Sequence, residues 1–181
     1  KLRTNEDLLT VQQGPDGVLY AGGLGYWGKI EVDDYGHYEV VQLCTPEQQV
    51  ANSIEYFEDI VFLDGYVFYK GANRFVRWHP EEGSRIFDLV NIDLIFPLAG
   101  QLYLSSHNGF YRLDGDLLTP IPRTLPSLPR SGHTIRSTSW GEQQVVLFNT
   151  LHGLVLFDGE RFEDIEDDFE DQSAEVWIND M

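Results

Sequence analysis

Short apolar runs that alternate with polar positions recur along this chain, separated by turn residues. From Gly100 to Gly115 the chain reads Gly-Gln-Leu-Tyr-Leu-Ser-Ser-His-Asn-Gly-Phe-Tyr-Arg-Leu-Asp-Gly. Leu102 and Leu104 alternate with Tyr103, which is the period of two that a strand requires. A polar turn, Ser106-His107-Asn108-Gly109, follows, and then an aromatic-rich run from Phe110 to Leu113. Asp114-Gly115 closes the phrase with residues that tolerate positive φ and suit a tight turn. The phrase returns from Val145 to Gly159, and the equivalent glycines, Gly109 and Gly153, are 44 residues apart.

That period organises the rest. Units are expected at about residues 7–43, 54–89, 90–122 and 134–165, with a partial strand at 174–180 that would open a fifth. Each reads as strand, Gly-containing turn, strand, small-residue loop, strand, Asp-Gly-type turn, strand. The first strands are predicted at Leu8 to Gln13, Ile54 to Phe62, Asn91 to Phe96 and Ile135 to Trp140. Four short antiparallel strands per 40 to 45 residues is the blade pattern of a β-propeller. A β-sandwich also has short strands at regular spacing, but it does not explain a unit with its own recurring signature. The expected fold is therefore all-β: a propeller segment of about four four-stranded blades in a single domain. Helix signals are nearly absent, apart from one short turn at Pro46 to Asn52. Pro126 and Pro129 break the connection between the third and fourth units.

Composition narrows the function. The chain has 181 residues, 42% of them hydrophobic and 13% aromatic, enough for a substantial core. Thirty acids against twelve bases give a net charge of −18, which argues against nucleic-acid binding and against anionic membrane surfaces. Cys44 is the sole cysteine, so no intrachain disulfide forms and the redox compartment stays open. No apolar run approaches the roughly 20 residues that span a bilayer. Lys1 is not an initiator residue, and the chain is expected to be a segment of a longer protein.

Candidate chemistry is sparse. His37, His79, His107, His133 and His152 never fall at a spacing that presets a metal site on one element. His107 and His152 occupy equivalent loops; such residues cap turns or, on a propeller rim, contact ligand. The acidic run from Glu163 to Asp171 lacks calcium-loop spacing and reads as a solvated connection. No nucleophile elbow, Ser-x-x-Lys pair or phosphate loop is present, so no catalytic residues, metal or cofactor are expected. Aromatic residues pack between sheets by default, but Tyr26 and Trp27 lie in a Gly-rich segment and are candidates for stacking on a ligand. The expected rim set is Tyr26, Trp27, Asn73, His107, Asn108 and His152. The opposite rim, with Asp16-Gly17 and Asp114-Gly115, is expected only to turn the chain.

The phrase Leu102 to Gly115, together with Gly22-Gly23-Leu24-Gly25-Tyr26-Trp27-Gly28-Lys29-Ile30, resembles the propeller repeat of bacterial two-component regulators. Tyr20, Phe68 and Tyr103 stand where many such repeats carry tryptophan. The resemblance implies a periplasmic, non-catalytic sensory segment of a membrane-anchored regulator, often a hybrid histidine kinase with a triple-tyrosine domain after the propeller. It implies an unknown small molecule or oligosaccharide as ligand, a homodimer as a candidate assembly, and membrane attachment only through other parts of the parent chain. The alternatives are a carbohydrate-binding or carbohydrate-active propeller acting on its own, and a structural scaffold.

Overall fold

The computed structural model describes residues 2–3, 8–122, 135–140, 143–150 and 153–165, with side chains placed within 8–122 and 155–163. The chain divides into two units, Lys1–Pro120 and Ile121–Met181. In the first unit, β1 (Leu2–Arg3), β2 (Leu8–Gln13), β3 (Leu19–Gly23), β4 (Tyr26–Val32) and β5 (Tyr38–Gln42) form one sheet. A short helix, α1 (Pro46–Ala51), leads to the second sheet: β6 (Asp59–Leu63), β7 (Tyr66–Lys70), β8 (Arg74–His79) and β9 (Gly83–Asp88). The third comprises β10 (Ile92–Leu98), β11 (Gln101–Ser106), β12 (Gly109–Asp114) and β13 (Leu117–Ile121). The second unit holds β14 (Ile135–Trp140), β15 (Gln143–Thr150), β16 (Gly153–Phe157) and β17 (Phe162–Ile165).

The strands of these sheets run up and down in chain order and pair antiparallel, apart from β1, which adds parallel to the outer edge of β5. The 44-residue step survives as register: Leu102↔Leu113, Leu104↔Tyr111 and Ser106↔Gly109 recur as Val146↔Phe157, Phe148↔Val155 and Thr150↔Gly153. The described residues are thus all-β apart from α1, and form four sheets, each holding the four antiparallel strands expected of a unit, with β1 added to the first. Asp64-Gly65 forms the expected turn with both residues at positive φ, 50° and 81°, the conformation a two-residue hairpin favours. Pro97 is tolerated in β10 because β10 lies at the edge of its sheet.

Two expectations change. The first strand of the second sheet begins at Asp59, because residues 54–58 cross over the end of the first sheet: the Phe57 amide donates to Gly23 O at 3.0 Å. The short turn at Pro46 is a capped helix, in which Thr45 and Gln48 satisfy each other's backbone amides and Pro46 sits in the first turn. The expected strand at 174–180 lies outside the described residues.

Within the first unit the sheets stack face to face. Tyr20, Trp27, Phe57, Ile60, Val67, Tyr69 and Val76 fill the layer between the first and second sheets. Phe68, Phe75, Phe87, Ile92, Ile95, Leu102, Leu104 and Leu113 fill the layer between the second and third. Val67 and Tyr69 point one way from β7 and Phe68 the other, so the period of two feeds both cores. Each side chain of this size contributes about 1.5–3 kcal/mol by leaving water. Two polar tips in the first layer are paired across it: Tyr69 Oη donates to Gly28 O at 2.8 Å, and Trp27 Nε1 donates to Ser84 Oγ at 2.9 Å.

The close approach of the crossing segment demands glycine at position 22, where a Cβ would stand 2.5 Å from Phe57 O. Gly22→Ala should therefore cost about 1–3 kcal/mol, as an overpacked site does. Gly17→Ala should cost less, about 1 kcal/mol, since the space there is open and only its φ of 82° is unfavourable. Urea denaturation midpoints measure both, and an equal loss at the two positions would refute the close-approach argument.

Candidate functional site

The loops between second and third strands, and the connections between sheets, meet at one end of the first unit. There they interlock through backbone groups. Gly25 N donates to Glu55 O at 2.7 Å, Ile92 N to Ala72 O at 2.6 Å, Leu89 N to Asn73 O at 3.0 Å and His107 N to Asn91 O at 3.0 Å. Asn73 is a junction: its amide donates to Glu55 Oε1 at 2.9 Å, and its Oδ1 accepts from Asn91 N at 3.4 Å. Glu55 is buried, and its carboxylate occupies the space a side chain at Gly71 would need. Arg74 braces the same corner, donating to Asn52 Oδ1 at 2.6 Å and pairing with Asp88 at 3.1 Å.

The expected rim residues divide. Asn73, His107 and Asn108 are exposed at this end, and Asn91 links the first two. The Asn108 amide donates to Ser106 Oγ at 3.1 Å, so the turn is shaped by the serine before it. Tyr26 and Trp27 correct the expectation: both are 0% exposed. Trp27 packs edge-on against Phe57 with ring centroids 5.2 Å apart. The glycines around the two aromatics belong to strands β3 and β4 and to their hairpin, so neither ring presents a stacking face to solvent. His152 lies outside the described residues.

A charged cluster at the start of β6 and the end of β7 went unforeseen. Lys70, 5% exposed at the end of β7, donates from Nζ to Glu58 Oε1 at 2.6 Å. Next to Glu58, burial pushes the Asp59 carboxyl above its ordinary range, outweighing the hydrogen bond from the Ile60 amide and the charge of Lys70. Gln12 Nε2 reaches Asp59 Oδ1 at 3.4 Å from the first sheet. The signal was present in the sequence: Lys70 ends the run Tyr66-Val67-Phe68-Tyr69, in a chain with only three lysines. Among the described residues, no group of three or more His, Cys, Asp or Glu comes together to hold a metal ion.

The opposite end does more than turn the chain. Two clefts open there, one of about 170 Å³ between the first and second sheets and one of about 180 Å³ between the second and third. Tyr66, Leu63 and Asp64 line both. The second cleft is clasped by Arg77, which donates to Gly115 O and Asp116 Oδ1, each at 2.8 Å.

Repeated four-stranded antiparallel sheets, stacked through their apolar faces and tied at one end, define the class of fold. Two solved structures share it. Both are of the extracellular domain of BT4673 from B. thetaiotaomicron, described in one case as a hybrid two-component system and in the other as a one-component system. The TM-scores are 0.60 and 0.58, each at 17% identity, over 85% and 82% of this chain. The chain spans about a fifth of their length, 22% and 21%. No protein-family model matches the chain, and no curated protein is detectably similar to it in sequence.

The charged cluster gives a pH-dependent expectation. A carboxyl whose folded pKa is raised destabilises the fold once ionised, so its penalty is absent in acid and full above the folded pKa. Asp59→Asn should therefore raise stability at pH 7.5, and the gain should shrink as pH falls and vanish by about pH 3, below the ordinary aspartate pKa of about 3.9, where the carboxyl is protonated in both states. Glu58→Gln should act oppositely at neutral pH, lowering stability by about 1–3 kcal/mol because Lys70 is left buried without its counter-charge. Urea midpoints at the two pH values test both; a pH-independent effect of Asp59→Asn would refute the burial argument.

Proposed function

We propose that this chain is a segment of a β-propeller from the periplasmic sensory part of a two-component-type regulator, and that it binds a ligand without catalysing a reaction. The observation that carries the reading is the repeating sheet with its 44-residue register. The likeness to the BT4673 extracellular domain supports it at the level of fold. The second sheet buries both of its faces, as a propeller blade does between its neighbours. The tied end supports ligand contact there, since Asn73, His107 and Asn108 project polar groups from a backbone fixed by its own hydrogen bonds. The ligand class is a small molecule or an oligosaccharide, and a second copy of the chain is a candidate partner. Membrane attachment would come from other parts of the parent protein.

Cell fractionation tests the location: the parent protein should be open to protease added outside the inner membrane, and protection until the cytoplasm is opened would refute it. A transcriptional reporter driven by the parent regulator tests the surface. Combined Asn73→Ala, His107→Ala and Asn108→Ala should lower the response at least tenfold at unchanged protein level. An unaltered response would place the sensing surface elsewhere.

A further inference from the structure

The cleft between the first and second sheets has a chemistry of its own. Its walls include the rings of Tyr20, Phe62 and Tyr66, and Asp16 and Asp64 stand on its lining turns. Tyr20 and Phe62 meet at 5.5 Å between centroids with planes inclined by 55°, which gives the cleft two aromatic walls at an angle. Trp78 backs Tyr20 at 6.0 Å.

Asp16 is held in place by its own turn: Oδ1 accepts from the Val18 amide at 3.1 Å and Oδ2 from Tyr20 Oη at 2.9 Å. Burial and the neighbouring carboxylate push the Tyr20 phenol up to about 12, so it remains a neutral donor to Asp16 at any physiological pH. Among the described residues that line this cleft none is a lysine or arginine, and His79 stands behind the Tyr66 ring at 5.0 Å. The neighbouring cleft differs on this point, because Arg77 lines it and lies with Cζ 5.0 Å from the centre of the Tyr66 ring. A ring shared by the two clefts thus already receives a cation, one whose charge is balanced by Asp116.

We propose that the cleft lined by Tyr20, Phe62, Tyr66, Asp16 and Asp64 binds a small organic cation, an alkylammonium group. Aromatic faces attract such a cation through their quadrupoles, and this attraction strengthens when water is excluded. The two carboxylates supply the counter-charge, and a net charge of −18 raises the local concentration of cations around the whole chain. The side-chain donors of the lining, which an anion would need, are spent: the Tyr20 hydroxyl on Asp16 and the Tyr66 hydroxyl on Glu82. An uncharged apolar guest would fill the same volume but leave the carboxylates unanswered.

The test is a titration of the full 181-residue chain, labelled with ¹⁵N, with choline chloride at constant ionic strength. Its neutral isostere 3,3-dimethylbutan-1-ol forms the comparison arm, and Nα-acetyl-lysinamide forms a third, which separates free compact cations from lysine side chains of a peptide. Saturable shifts should appear on the amides of residues 16–20 and 62–67, with the neutral isostere at least tenfold weaker than the better cation. Asp16→Asn combined with Asp64→Asn should weaken the cation at least tenfold and leave the alcohol unchanged. Should the double variant fold poorly, Asp64→Asn alone serves, at an exposed turn position with a φ of 50° that asparagine tolerates. Affinity for the alcohol equal to that for the better cation, shifts confined to other residues, or an unaffected variant would each overturn the proposal.

Discussion

A strand that is apolar on both sides has no face to give to water, and this constraint governs the first unit. In β7 the side chains of Val67 and Tyr69 enter one layer and Phe68 the other; β8 divides Phe75 and Val76 in the same way. A sheet of this kind is stable only between two others. It fixes the stacking of sheets and the depth at which Trp27 and Tyr69 are buried. The polar tips of Trp27 and Tyr69 then need partners inside, and Ser84 and Gly28 provide them across the layer. An unpaired group there would cost about 1–3 kcal/mol.

What could be read from the sequence was local. Alternation along Leu102-Tyr103-Leu104 and the φ demands of Asp64-Gly65 depend on neighbours within a few residues, and the strands and turns of the described residues follow from them. The failures came where distant segments meet. Tyr26 and Trp27 sit among glycines, which suggested an open loop, yet those glycines are there so that other backbone can come close: Gly22 faces Phe57 O, and Gly28 faces Val41 O. The start of the second sheet was misplaced for the same reason, since residues 54–58 follow the end of the first sheet instead of pairing within their own.

The site was legible only in part. Exposed turn residues such as His107 and Asn108 follow from turn chemistry alone. Glu55 and Lys70 take their meaning from the segments they brace, a loop 18 residues away for Glu55 and a carboxylate across the strand pair for Lys70. The clefts are a property of spacing between sheets, which no run of residues encodes.

The connections also decide which way the stack can move. Leu89 to Asn91 is all that joins β9 to β10, a tether of about 14 Å when fully drawn out between Asp88 and Ile92. Like pages sewn along one edge, the sheets cannot part at the end where these links run and where their amides interlock. Any widening has to occur at the free edge, among the Asp-Gly hairpins. There Arg77 fastens the second and third sheets together, while the first and second meet through the Tyr20 and Phe62 rings. A guest entering between those rings would therefore act as a wedge, and the spine would turn a small separation at the tips into a tilt of one sheet against the next.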